Sequence, residues 1–103
     1  MIRHCVFVHF REAVDEADAA VLFGEVVALK ARLPGMVDVH VGVNVSPEIG
    51  MDKGFGSGFI VDFDSAAARD HYLADEQHKQ IGARLVAAAV GGAEGILVYD
   101  MEI

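Results

Sequence analysis

Tryptophan is absent from this 103-residue chain, which also has one cysteine, two prolines and eight lysine and arginine residues in all. Each shortage removes a class of explanation. With Cys5 alone the chain can form no internal disulfide and no paired-cysteine metal site, so a reducing compartment, the cytoplasm, is the expected setting. The eight basic residues stand against sixteen acidic ones, a formal charge of −8 that repels phosphate backbones and anionic membranes. Neither nucleic acid nor a membrane is expected as a partner. No apolar run approaches the roughly 20 residues that cross a bilayer. Met1–Cys5 lacks the charged flank and apolar run of a secretory signal. There is no phosphate-binding glycine loop and no HExxH pattern, so neither a cofactor nor a metal ion is called for.

What the chain does have is apolar material, 53% of its residues against 23% charged. That is enough for one core, and the length suits a single domain over residues 1–103. A domain of this size buries only about two-thirds of its unfolded surface, so burial through self-association would help it.

The pattern switches between a period of two and a period near 3.6. Ile2 to Phe10 reads as a strand, with Ile2, His4, Val6, Val8 and Phe10 on one face and Arg3, Cys5, Phe7 and His9 on the other. Asp15 caps a helix in which Leu22, Val26, Leu29 and Leu33 point inward, and Pro34-Gly35 ends it. From Val37 to Val45 every second residue is valine, the clearest strand signal in the chain. Ser46-Pro47 opens a loop, after which Phe55, Ser57, Phe59, Val61 and Phe63 alternate as a third strand. Ser65 caps a helix through Tyr72, Asp75 caps another from Glu76 to about Val90, and Gly91-Gly92 stops it. Ile96 to Glu102 closes the chain as a strand. The order is that of an α+β, ferredoxin-like βαββαβ unit, a four-stranded antiparallel sheet with helices on one face. The other face needs a cover, and a homodimer supplies one.

Gly54-Phe55-Gly56-Ser57-Gly58 falls in the expected third strand and opens no helix, so it serves close backbone approach better than phosphate binding. The five histidines are the groups best able to move protons near neutral pH. His9 and His40 share strand faces with polar neighbours, which suits surface or interface positions. His71 and His78, seven apart, fall on one helical face with Asp70 and Asp75 nearby, but spacing fixes no third metal ligand. His4 differs, because it sits on the apolar face of its strand and needs a hydrogen-bond partner there. Tyr72 and His78 are about a third of a turn apart on a continuous helix and converge only if the helix breaks between them. Asp75 supplies that break and places His78 in a first turn, where burial and the helix dipole favour a neutral imidazole at pH 7.

Taken together, Ile2-Arg3-His4-Cys5-Val6-Phe7, Leu33-Pro34-Gly35, Gly42-Val43-Asn44-Val45-Ser46, the Tyr72 to His78 segment and Val98-Tyr99-Asp100-Met101-Glu102 resemble the stress-responsive α/β barrel domain family over nearly the whole chain. The resemblance implies a ferredoxin-like protomer whose sheet packs against that of a twofold mate, a dimeric α+β barrel, with a pocket between sheet and helices. In a plant polyketide cyclase of the family that pocket holds a histidine base and a tyrosine, which match His78 and Tyr72, and a first-strand histidine, which matches His4. Asp75 and Glu76 depart from the His-Pro that often precedes the motif's final histidine, and Ser57 stands where the cyclase has another pocket histidine.

Three functional classes follow. The first is a homodimer whose pocket takes a small apolar or aromatic molecule. The second is a polyketide-cyclase-like or lyase/isomerase enzyme in which His78 is the general base while Tyr72 and His4 position a carbonyl. The third is a cofactor-free monooxygenase-like barrel, for which the chain has no tryptophan to stack or carry a radical.

Overall fold

The computed structural model describes all 103 residues. Strand β1 (Ile2–Val8) is followed by helix α1 (Glu16–Ala28), whose end tightens into a 3-10 turn over Leu29–Ala31. Strands β2 (Met36–Val43) and β3 (Ser57–Phe63) come next, then helices α2 (Ala66–Ala74) and α3 (Glu76–Ala88), a 3-10 turn at Gly92–Gly95, and strand β4 (Ile96–Glu102). The strands form one sheet in the order β2-β3-β1-β4, every neighbouring pair antiparallel. This is the α+β, ferredoxin-like arrangement.

Local chemistry explains where the helices begin. The Asp15 carboxylate accepts from the Asp18 N–H, the Ser65 hydroxyl from the Ala68 N–H and the Asp75 carboxylate from the His78 N–H, each satisfying a donor that a first turn leaves free. Gly35, at φ +85°, turns the chain from α1 into β2, and a Cβ there would press on Ala68 and on the Asp64 carboxylate. All helices lie on one side of the sheet. Against them the sheet presents Ile2, Val6 and Val8 of β1 with Phe59, Val61 and Phe63 of β3, and the helical side contributes Leu22, Phe23, Val26, Leu29, Tyr72, Ile81 and Leu85 to one buried cluster. No helix is long and apolar enough to cross a membrane.

The register defines the opposite face in three cross-strand rows: Asp38, Asp62, Arg3 and Met101; His40, Ile60, Cys5 and Tyr99; and Gly42, Gly58, Phe7 and Leu97. Gly58 lets the third row close up, since a Cβ there would collide with the Val6 carbonyl and come within 2.7 Å of the Phe7 ring. Leu97, Tyr99 and Met101 are exposed, Tyr99 by 59%.

Several boundaries differ from the sequence reading. β1 stops at Val8, and Phe10 makes an isolated bridge to Ala89. A shift in register between Met36 and Asp38 takes Val37 out of the valine row, and Val45 lies beyond the strand, almost fully exposed. β3 starts at Ser57 because residues 50–56 are held as a loop, in which Asp52 accepts from the Gly54 N–H and the Asn44 amide and both Lys53 and Gly54 have positive φ. α2 runs on to Ala74. α3 stops at Ala88, where the backbone peels off to bond β1's extension, Val90 N–H to His9 and Arg11 N–H to Ala88.

The inward face of α1 is as the periodicity placed it, with Leu29 only 1% exposed. Leu29→Ala should therefore cost about 2 to 5 kcal/mol in chemical denaturation, whereas exposed Val27→Ala should stay within about 0.5 kcal/mol. Equal midpoints for the two variants would contradict the packing.

Candidate functional site

Three elements bring their side chains to one point beneath the helices. His4, on β1, faces inward and is buried. Tyr72, on α2, is fully buried with its ring centroid 5.7 Å from that of His4. His78, in the first turn of α3, lies 4.1 Å from Tyr72, ring to ring, at an interplanar angle of 44°. Phe63 closes one side, 5.1 Å from Tyr72 and 6.2 Å from His4. The tyrosine thus sits between two imidazoles, as the sequence required if the helix broke at Asp75.

The break is built around that residue. Asp75 has φ −66° and ψ 131°, extended backbone that ends α2 and begins α3. Its carboxylate accepts from the His78 N–H at 3.0 Å and from both terminal nitrogens of Arg32 at 2.9 and 2.7 Å. Arg32 first, and then the His78 N–H, hold the Asp75 carboxyl down at about 2. Asp75 is therefore tied to Arg32 and the helix start.

The electrostatics assign different states to the cluster. Burial pushes the His78 imidazole below its ordinary value, and a positive charge on His4 pushes the same way, against weaker opposing pulls from the Leu73 carbonyl and Asp75. His78 is thus neutral at pH 7. Burial also pushes the Tyr72 phenol far up, so it remains a protonated donor. Both groups are incomplete: Tyr72 Oη and His78 Nδ1 are buried with no hydrogen-bond partner. A buried orphan donor or acceptor costs about 1 to 3 kcal/mol unless water or a ligand completes it.

His4 is completed by two residues that the sequence reading did not single out. Its Nδ1 donates to Asp100 Oδ1 at 2.6 Å, and Asp100 Oδ2 accepts from Arg69 Nη1 at 2.9 Å. Burial works against the Asp100 charge, but the hydrogen bonds from His4 and Arg69 outweigh it and hold the carboxyl below its usual range. The signal was an acid following Ile96 and Val98 on one face of β4, and the β1–β4 register that sets Asp100 opposite His4 is not readable from alternation alone.

The remaining candidates lie elsewhere. His9 packs on Phe55 and Gly54. His40 is on the outer sheet face, 3.5 Å from Asp38 and 3.7 Å from Asp62. His71 is exposed on α2, so the di-histidine pairing with His78 does not form a cluster. Ser57 opens β3, four residues from Val61, the partner of His4, or roughly 13 Å at strand rise. Two sizeable cavities flank that end of the sheet. One of about 490 Å³ lies under the 44–56 loop against Phe7, Phe55, Ile60 and Leu97, and one of about 460 Å³ between α1 and the ends of β2 and β3 is walled by Phe10, Phe23, Val41 and Val43. Neither is lined by His4, Tyr72 or His78.

The chain matches the model of the Stress Responsive A/B Barrel Domain over residues 2–103. It belongs to that family. A dimeric ferredoxin-like protein of unknown function from Jannaschia sp. CCS1 has the same fold at a TM-score of 0.91 and 28% identity, over 99% of this chain and 98% of that one. A protein of Arabidopsis thaliana superposes at 0.87 with 21% identity, covering 100% and 95% of the two chains. The hydroxynitrile lyase of Passiflora edulis does so at 0.83 with 18% identity, covering 99% and 92%. At those lower identities the last two show a shared fold. No curated protein matches the chain. The family assignment agrees with the motifs spread along the sequence, from Ile2-Arg3-His4 to Val98-Tyr99-Asp100.

Because the His78 value is lowered by folding, the unfolded chain binds more protons between that value and about 6.5, and stability falls as pH drops through that window. The lowered carboxylates Asp62, Asp75 and Asp100 act in the same direction, but below about pH 4. Denaturation between pH 7 and 5 should show a slope that His78→Gln flattens. A wild-type slope of zero, or a His78 resonance titrating above about 7, would contradict a neutral resting base.

Proposed function

We propose that this family member is a homodimer, held in the cytoplasm as one domain, that binds a small apolar or aromatic molecule bearing a carbonyl or hydroxyl at the His4–Tyr72–His78 cluster. The observation that carries the reading is the pair of buried, unpartnered polar atoms, Tyr72 Oη and His78 Nδ1, beside the Phe63 ring. A carbonyl accepts a hydrogen bond from the tyrosine hydroxyl, a hydroxyl or acidic C–H faces the imidazole, and the aromatic wall suits an apolar body. Since neither large cavity opens on the cluster, binding moves side chains of α2 or α3 aside.

A second reading follows from the same states. A neutral imidazole beside a protonated phenol is the pairing that general-base chemistry uses, so His78 removes a proton while Tyr72 stabilises the oxyanion that forms. The hydroxynitrile lyase of the same fold makes a lyase-type or cyclase-type activity the form to try first.

Native mass spectrometry of the purified protein should show retained small molecules, or uptake from an aromatic carbonyl library, in wild type and not in Tyr72→Phe. Tyr72→Phe removes an unsatisfied hydroxyl, so without ligand its stability should stay within about 0.5 kcal/mol of wild type or rise. Binding that survives in both Tyr72→Phe and His78→Gln would overturn the site.

The dimer rests on the outer sheet face, where Phe7, Ile60, Leu97, Tyr99 and Met101 form an apolar surface that no helix covers, and on the dimeric relative from Jannaschia. Light scattering at micromolar concentration should give twice the protomer mass, and Tyr99→Glu should shift it toward one. A wild-type protein that stays at protomer mass ends the dimer reading.

A further inference from the structure

The Asp100 carboxylate divides its two oxygens between His4 and Arg69. An ionised carboxylate only accepts, so the 2.6 Å contact fixes a proton on His4 Nδ1 and leaves Nε2 as the basic nitrogen of the neutral ring. Arg69 reaches the same carboxylate from α2, one turn before Tyr72, and ties its Nε to Asp70 Oδ1 at 2.9 Å. Its guanidinium is thereby matched by two carboxylates and is not free to hold an anionic ligand.

We propose that Arg69 and Asp100 are positioning residues for the cluster: Asp100 holds His4 in its Nδ1–H form, and Arg69, by competing for the same carboxylate, limits how strongly His4 keeps a second proton. The proposal rests on the reading of His4, Tyr72 and His78 as one site and names what regulates it.

The groups facing His4 can be enumerated. β4 supplies Asp100, α2 supplies Arg69 and the neutral Tyr72, α3 supplies His78, and β3 supplies only Val61 and Phe63, because Asp62 points to the other face. Asp100 is the one carboxylate among them. Removing its charge makes an imidazolium at His4 less favourable. Removing Arg69 does the reverse on two counts, since the carboxylate loses a competitor and the site loses a positive charge. His78 responds in the opposite sense to His4, because each imidazolium repels the other. The Arg69–Asp100 pair is thus the charged pair that faces His4.

The test is an NMR titration of the His4 and His78 imidazoles in the ligand-free protein, with nitrogen shifts reporting the tautomer. Wild type should show His4 as the Nδ1–H form. Asp100→Asn should lower the His4 midpoint by about one unit or more and raise that of His78. Arg69→Gln should raise the His4 midpoint and lower that of His78, and Arg69→Lys should restore both toward wild type. Asp70→Asn keeps the Arg69–Asp100 contact and should leave both midpoints in place, which a general loosening of α2 would not do. An Nε2–H tautomer in wild type, or His4 midpoints equal in wild type, Asp100→Asn and Arg69→Gln, overturns the proposal. No ligand enters this measurement. A failure of small-molecule binding with the titrations as expected removes the proposed function and leaves the relay standing, and the converse result does the opposite.

Discussion

A single aspartate ends one helix and begins the next, and the arrangement of the site depends on it. On a continuous helix Tyr72 and His78 would diverge by about a third of a turn. The extended backbone at Asp75 cancels that divergence and brings the two tilted rings to 4.1 Å between centroids. The same carboxylate caps α3 through His78 itself and is anchored by Arg32 from the end of the α1 segment, so the ring is placed by its own backbone and by a neighbouring element. Asp75 shapes this corner by capping α3 and pairing with Arg32.

The second constraint is the sheet's two apolar faces and one layer of helices. The inner face is filled by a cluster running from Phe10 and Phe23 through Phe59 to Phe63 and Tyr72. Within it the polar atoms are few and are treated unequally. His4 is paired with Asp100, while Tyr72 Oη and His78 Nδ1 are left without partners. A core with no function at this point would be more stable with a phenylalanine and an aliphatic side chain there. The outer face follows a different logic, with apolar rows interrupted by the Arg3–Asp62 pair at 2.8 Å.

Much of this was legible in the sequence because it rests on periodicity and capping. Leu22, Val26 and Leu29 marked the inner helix face, Ser65 and Asp75 marked the helix starts, and Ile96–Glu102 was bounded as found. Candidates His4, Tyr72 and His78 converge because their elements were read correctly. What escaped was set by pairing between distant segments. The register of β1 on β4 brings Asp100 to His4 across 96 residues. The link from Arg69 depends on how α2 sits over that edge. The register shift near Val37 and the Asp52-braced loop before Ser57 also depend on contacts that alternation does not encode. Cavities were the least legible, since they are what packing leaves over, and the two large ones fall at the Ser57 end of the sheet, away from the histidines.

The central claim is that Tyr72 and His78 are kept incomplete so that something else completes them. The most direct measurement is a crystal structure of the protein as purified, at a resolution that shows ordered water and bound molecules. Density is expected within hydrogen-bond distance of both Tyr72 Oη and His78 Nδ1, from a bound molecule or the water that holds its place. A structure in which those two atoms bond each other, or are satisfied by groups of the protein itself, would contradict it.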